Sequence, residues 1–323
     1  MVTRNDVARA AGVSTAVVSY VINDGPRAVS PKMRSRVLAA IDELGYRPNT
    51  VARSMRTRRT NSIGFVLPDI SMAYFSAMTQ YITERAREHG LSVMVATSSG
   101  DLDIEREHLM ELAARQVDGI ILMSVDPERD TDWATSLNVP VVVVDRPRVA
   151  ADSTALAVEH LLAHGCRSVA RVSEPETVLL TRRRDEGWSR TMAAHGISHA
   201  PVVRAAAGER AGFEAASALL QASERVDGVV IDTPAHATGF LRAAADLGID
   251  VPGEVAVITC EYGRFADFTV PRLSSVDSPL EAIAARAVAA ITATASGDRQ
   301  PTLDGPGFDL FERDSCRLPA LQS

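Results

Sequence analysis

Thr3-Arg4-Asn5-Asp6-Val7-Ala8-Arg9-Ala10-Ala11-Gly12-Val13-Ser14-Thr15-Ala16-Val17-Val18-Ser19-Tyr20-Val21-Ile22-Asn23 decides how the rest of the chain is read. Thr3 is placed to cap a helix, with Asp6 three residues on as the acid of a capping box. Val7, Ala8 and Ala11 form an apolar stripe at helical spacing. Gly12 ends the helix, since glycine takes a left-handed C-cap without a Cβ penalty. Val13 fills the corner and Ser14 caps a second helix. In that helix Val17, Val18, Val21 and Ile22 face inward, leaving Thr15, Ala16, Ser19, Tyr20 and Asn23 outside. The spacing fits a helix-turn-helix and, taken alone, an ordinary α-hairpin equally well. An outer face of small hydrogen-bonding side chains suits a major groove, where such groups reach base edges and phosphates.

Charge supports the first reading. The net charge of -7 argues against nucleic acid, but it is unevenly spread. Residues 1–60 hold eleven basic against four acidic side chains, a net +7, and the remainder nets -14. A basic head would dock on phosphate while the acidic body is repelled. The length of 323 residues exceeds one compact domain, and 46% hydrophobic residues allow a large core.

Beyond the head, Ser30-Pro31 is a cap followed by proline at the first helical position. Met33, Val37, Leu38, Ile41 and Leu44 then recur at helical spacing up to Gly45. This third helix would complete a core that two helices cannot bury alone. Residues 49–56 make barely two turns, so they form a helix only when something supports them; a solvated basic linker is the alternative. From Ile63 the pattern becomes short apolar strands alternating with amphipathic helices. Strands are expected over 63–67, 92–96, 118–122 and 139–144, with helices over 75–89, 102–115 and 132–137. The alternation restarts with helices over 154–163, 183–194, 212–221 and 235–245 and strands over 168–172, 226–231 and 255–258. Unbroken apolar strands imply parallel sheets covered on both faces. Residues 273–276 and the helix over 279–294 look like a return to the first half, and 308–311 would finish the second.

Asp6-Val7-Ala8-x-x-Ala11-Gly12-Val13-Ser14, followed by Val18-Ser19-x-Val21-Ile22-Asn23, closely resembles the N-terminal signature of the LacI family of bacterial transcription regulators. Val29-Ser30-Pro31-Lys32-Met33-Arg34 and Leu44-Gly45-Tyr46-Arg47-Pro48-Asn49 extend the likeness, which is strong to about Val144 and patchy after it. The resemblance implies a small all-α helix-turn-helix head plus an α/β body of two doubly wound parallel-sheet lobes of periplasmic-binding-protein type. The expected divisions are a head at 1–48, a hinge helix and linker at 49–61, and an effector-binding and dimerisation domain at 62–323. Its N-lobe would take about 62–147 plus 275–297, and its C-lobe about 148–274 plus 298–323.

Thr15, Ala16 and Tyr20 are the expected sequence readers. Tyr20 can donate a hydrogen bond or stack, and Ala16 can meet a thymine methyl. Thr3, Asn5, Ser14, Ser19, Asn23 and Arg27 suit phosphate contacts, which position without specifying. Val17 stands where the family usually has threonine. By resemblance 49–56 is the hinge helix, which folds on DNA and pairs with its twin in the minor groove. Asn49, Ala52, Arg53 and Met55 would carry its contacts, with Met55 in place of the usual leucine wedge.

Ligands of doubly wound sheets sit at the carboxyl ends of strands. Asp69, Tyr74 and Phe75 follow the first strand, where the family's loop faces the cleft; a capped helix start with core aromatics fits them as well. Ser124 and Asp126 follow the third strand, and Asp145 and Arg146 the fourth, by topology only. Arg184-Asp185-Glu186-Gly187-Trp188 matches the family's R-x-x-G-[FYW], whose arginine usually forks onto an effector hydroxyl or carboxylate. Glu261 stands where the family carries an aspartate. Thr233-Pro234 replaces the family's Asn-Asp pair, and the stretch after Asp145 is several residues short.

Three scattered cysteines, Cys166, Cys260 and Cys316, suggest neither a disulfide framework nor a zinc site. No cofactor is implied. No Walker A loop, GxGxxG, HExxH or GxSxG occurs, and the polar N-terminus has no apolar leader core, which together suggest a cytoplasmic protein that is not an enzyme. The expected function is that of a homodimeric repressor binding a pseudo-palindromic operator under small-molecule control, with a sugar or related metabolite in the interlobe cleft. The alternatives are a regulator answering to a non-sugar effector or to none, and a small-molecule binding protein in which DNA binding is secondary.

Overall fold

The computed structural model describes residues 2–23, 28–47, 59–124, 136–144, 146–176, 179–261, 263, 265–294 and 307–316. It divides into two compact units, residues 1–60 and 61–323. The expected hinge helix at 49–56 lies outside the described residues.

The first unit contains α1 (Arg4–Ala11), α2 (Thr15–Asn23) and α3 (Pro31–Glu43). The capping box forms in both directions. Thr3 Oγ1 accepts from the Asp6 N–H at 3.4 Å, and Asp6 Oδ2 accepts from the Thr3 N–H at 2.9 Å. Gly12 takes φ 61° and closes α1. Ser14 Oγ accepts from the Val17 N–H at 3.3 Å. Val7, Ala11, Val18, Val21, Val37, Ala40 and Tyr46 form the core, with Val17 and Ile22 packed at its edge. Met33 and Leu38, expected in the inner stripe of α3, are 45% and 50% exposed. Ala40 takes the inward place instead: α3 offers one narrow face to its partners, and Val37, Ala40, Ile41 and Leu44 fill it.

The first lobe of the second unit is a parallel sheet in the order β2-β1-β3-β4. Its strands are β1 (Ser62–Leu67), β2 (Ser92–Thr97), β3 (Gly119–Leu122) and β4 (Val141–Val143). β1 and β3 are buried at every position, as central parallel strands are. Ile63, Phe65 and Leu67 face α4 (Ala73–Glu88) and α10 (Leu280–Thr294). Val66 and Ile120 face α5 (Leu102–Ala114) on the other side.

The second lobe has the sheet order β10-β9-β8-β7-β5-β6. It comprises β5 (Val169–Ser173), β6 (Val202–Arg204), β7 (Gly228–Ile231), β8 (Ala256–Thr259), β9 (Ser274–Asp277) and β10 (Asp309–Phe311). β10 runs antiparallel to β9 and the other pairs are parallel. α6 (Arg146–Ala163) and α7 (Leu179–Ala194) pack on one face. α8 (Glu209–Leu220) and α9 (Pro234–Leu247) pack on the other.

Three expectations change. Residues 273–276 do not return to the first lobe: β9 pairs with β8, Ile258 opposite Ser274, and stays in the second. The return comes after Asp277, so the N-lobe's second segment starts with α10, whose Ile283, Ala287 and Ile291 join the first-lobe core. A strand's own pattern says nothing of which sheet it joins. α6 begins at Arg146, not near Thr154. Pro147 looks like a breaker, but in the first turn of a helix its missing N–H has no partner to lose. β6 was not expected; it is a three-residue edge strand, too short for a periodic signal. The expected helix at 132–137 falls largely outside the described residues.

Gly187 explains part of the R-x-x-G-W match. A Cβ there would lie 2.1 Å from the Ala151 carbonyl oxygen, so only glycine lets α7 approach α6 this closely. Trp188 beside it is buried in the same core. Gly187→Ala is expected to destabilise the body by about 1–3 kcal/mol through forced helix separation. Urea denaturation of the two proteins checks this, and an unchanged midpoint would contradict the close-contact account.

Candidate functional site

On the head, α2 presents Thr15 and Ala16 exposed, with Ser19 and Tyr20 half-buried beside them. Helical spacing brings 15, 16, 19 and 20 onto one side, opposite the buried Val18 and Val21. Thr3 and Asn5 are exposed at the start of α1. The Thr3 and Ser14 hydroxyls already serve as caps, so any phosphate contact there would share that oxygen. Val17 packs on the head core, consistent with an inward residue. Arg27, Asn49, Ala52, Arg53 and Met55 lie outside the described residues, as does the side chain of Asn23.

In the body, a cleft of about 430 Å³ opens at the carboxyl ends of both sheets. Such a volume suits a small metabolite. The first lobe contributes Asp69, Ser71, Met72 and Ala73 from the loop after β1. The second contributes Glu174 after β5, Gly208 and Glu209 after β6, Thr233, Pro234, Ala235 and Thr238 after β7, and Glu261, Gly263, Phe265, Ala266, Thr269 and Leu273 after β8. Asp69 Oδ1 accepts from the Ser71 N–H at 2.8 Å and so shapes its loop. Thr233 caps α9, accepting from the His236 N–H at 3.2 Å, and Pro234 opens the helix. Those roles account for the pair that replaces Asn-Asp.

Four carboxylates, Asp69, Glu174, Glu209 and Glu261, line the cleft, and its described lining includes no lysine or arginine. Burial first, and then the charge of Glu261, pushes the Glu174 carboxyl above its ordinary value, while Arg184 pulls it back.

Beneath this floor runs an alternating chain of charges. Glu261 accepts from Arg184 at 2.9 Å, and Arg184 lies 3.8 Å from Asp232. Asp232 takes both Nε and Nη2 of Arg171, at 2.9 and 2.8 Å. Arg171 also holds Asp185, which pairs with Arg204 at 2.8 Å, and Arg204 reaches Glu176 at 3.1 Å. Burial works against the Arg184 charge, but Glu261 and then Asp232 outweigh it and raise its pKa. For Arg171 burial is again opposed, first by Asp232, and the pKa is raised.

Several expected effector residues fall elsewhere. Tyr74 and Phe75 are buried in the first-lobe core, edge to face with centroids 5.4 Å apart. With Met78, Ile82 and Ala86 they form the inward stripe of α4, which leaves Met72 and Ala73 to the cleft. Ser124 is buried and donates to Glu105 at 2.8 Å, so it faces α5. Arg184 lies behind Glu261 and is not itself part of the lining. Asp126, Asp145 and the side chain of Arg146 are outside the described residues. Asp69 and Glu261 do meet in the cleft. Glu174 and Glu209 were missed, although Glu174 directly follows β5 and the strand-end rule applied there would have found it.

The family profile for bacterial regulatory proteins of the lacI family matches residues 3–49. A periplasmic binding protein-like domain matches residues 158–316. The ribose operon repressor of Halalkalibacterium halodurans is 31% identical over 290 residues, 87% of this chain and 86% of that protein. Among solved structures, the lac repressor dimer bound to operator and the anti-inducer ONPF superposes with a TM-score of 0.85 at 24% identity, covering 98% of this chain and 99% of that one. The transcriptional regulator CelR–cellobiose complex superposes with a TM-score of 0.68 at 25% identity, covering 98% and 100%.

Asp232 is the shared partner of two buried arginines, so Asp232→Asn leaves both undercompensated. The expected loss is about 3–5 kcal/mol. Glu176 is 72% exposed, and Glu176→Gln should cost about 0–1 kcal/mol. Denaturation midpoints compare the two, and similar losses would contradict the account of the charge chain.

Proposed function

The chain belongs to the LacI family of bacterial regulatory proteins, and from that premise we propose that it is a homodimeric transcription repressor whose hold on operator DNA is set by a small molecule in the interlobe cleft. Two heads would read the halves of a pseudo-palindromic site. Thr15, Ala16 and Tyr20 on α2 would face base edges, and Thr3, Asn5, Ser14, Ser19, Asn23 and Arg27 phosphates. Residues 49–56 would fold on DNA and pair across the dyad, with Ala52 allowing close approach and Met55 entering a base step. The observation that carries the reading is the capped α1–turn–α2 pair with the outer face of α2 open, on a head of net +7.

A dimer is supported by apolar side chains left at the surface of the body. Met94 and Val95 on edge strand β2 and Ile104 and Met110 on α5 are exposed. Contiguous exposed apolar patches mark association surfaces, and one related structure is of a dimer on operator. A cytoplasmic place on the nucleoid and the absence of catalysis complete the reading. No helix among the described residues is long and apolar enough to cross a membrane, and the relatives compared are regulators.

Binding to DNA from the gene's own upstream region, measured by gel shift across a salt series, tests this. Specific binding should persist at moderate salt, and Tyr20→Ala should lose about 1–3 kcal/mol of discrimination. Binding without sequence preference, or unchanged selectivity in Tyr20→Ala, would overturn it.

The carboxylate-rich lining favours a second reading of the effector, in which it carries a protonated amine. The first reading, a neutral sugar, finds support in the cellobiose bound to one relative. Thermal shift with glucose, glucosamine and glucose 6-phosphate separates them. A ligand at a hundred times its Kd adds about 2.7 kcal/mol of stability. A glucosamine shift larger than that of glucose supports the amine. A glucose shift accompanied by DNA release supports the sugar. Stabilisation by glucose 6-phosphate alone contradicts both.

A further inference from the structure

The end of the second lobe away from the cleft holds a group of side chains that neither DNA binding nor the cleft uses. His160 and His164 stand one helical turn apart at the end of α6, with ring centroids 4.4 Å apart. His164 Nε2 is 3.6 Å from Glu312 Oε2, and His160 Nε2 is 3.1 Å from Cys316 Sγ. Ligand atoms of His160, His164 and Glu312 all lie within 4.8 Å of one another. We propose that His160, His164, Glu312 and Cys316 form a binding site for a divalent transition metal, zinc by preference, that staples the C-terminal segment to α6.

The donor set suits that ion. Two imidazoles, a carboxylate and a thiolate are the ligand types zinc takes in four-coordinate sites. With Zn–N near 2.0–2.1 Å and Zn–S near 2.3 Å, tetrahedral ligand atoms sit about 3.3–3.6 Å apart. The 3.6 Å between His164 and Glu312 falls in this range, and the 3.1 Å between His160 and Cys316 must open by a few tenths of an ångström. The ligand atoms of His160, His164 and Glu312, all within 4.8 Å of one another, need about 1 Å of closure at most, and Cys316 joins them through His160. Cys316 is fully buried, whereas His164 and Glu312 are 29% and 33% exposed, so the ion has a way in from one side.

The segment carrying two of the ligands is held before any metal arrives. Ser315 Oγ donates to the Val257 carbonyl at 2.6 Å and accepts from the Ser274 N–H at 2.8 Å. The Arg313 N–H reaches Ser274 Oγ at 2.8 Å, and its guanidinium reaches the Leu273 carbonyl at 3.0 Å. These bonds fix Glu312 and Cys316 against the amino end of β9, facing α6. The Cys316 thiol donates to Ser274 Oγ at 2.8 Å. On binding, the metal takes the sulfur lone pair, the thiol proton leaves to solvent, and the Ser274 hydroxyl can turn to donate to the thiolate.

Tag-free full-length protein, stripped with a chelator and dialysed, is titrated with Co²⁺ and then Zn²⁺. The expected result is one equivalent of Co²⁺ per chain, with a thiolate-to-cobalt charge-transfer band and the visible bands of tetrahedral cobalt. Zn²⁺ should displace it and raise the Tm. Cys316→Ser should abolish the charge-transfer band. His164→Asn, at the exposed edge, should weaken binding at least about tenfold, the lower end of the loss seen when an outer-shell partner is removed. Its far-UV circular dichroism should match that of the unaltered protein. The cobalt spectrum of the unaltered protein keeps the test decisive if Cys316→Ser does not fold. Lack of saturable uptake, a cobalt complex without the thiolate band, or unchanged affinity in His164→Asn would overturn the proposal.

Discussion

Arg171 sits on an inner strand of the second-lobe sheet with no exposure, and both carboxylate oxygens of Asp232 hold it. Much of the second lobe's cleft face depends on this pair. Asp232 also faces Arg184, Arg184 holds Glu261, and Glu261 lines the cleft. On the other side Asp185 and Arg204 extend the chain toward the end of β6. Removing one member of such an array leaves a charge unmatched, at a cost of about 3–5 kcal/mol.

That floor belongs to the second of two lobes, and the two described crossings between them are short. The chain passes from β4 of the first lobe almost directly into α6 of the second. It comes back between Asp277 and Leu280, with only Ser278 and Pro279 between. At these two described crossings a change in lobe angle would fall on a few residues, as in other hinge closures. A ligand touching Asp69 on one lobe and Glu261 on the other would favour one angle over another. Coupling of this kind between two sites is typically worth about 1–3 kcal/mol. The proposed metal staple acts at the other end of α6, where it would stiffen the second lobe without entering the cleft.

The head is the part most fully legible from sequence, because its signals are local. Thr3 and Asp6 are three residues apart, Gly12 ends its own helix, and Ser14 caps the next. Even so, Met33 and Leu38 proved exposed, since periodicity marks a stripe but not how wide a face the neighbours cover. In the body the alternation of strand and helix was readable, and so was the position of most elements. The cleft was half readable. Asp69 and Glu261 follow strand ends and line it, but Tyr74 and Phe75 turned into the core one helical step away from Met72 and Ala73.

By itself the amino-acid sequence determined the capped helix pair, the basic head on an acidic body, the parallel α/β lobes and the family likeness. These rest on caps, periodicity, composition and motif matches carried along the chain. Tertiary structure alone decided that β9 stays with β8 and that Arg184 is spent on Glu261 and Asp232. It also brought His160 and His164 to Glu312 and Cys316. Each of these joins partners 16 to 156 residues apart. At such separations the contact is chosen by which faces the folded core brings together, and no local pattern records that choice.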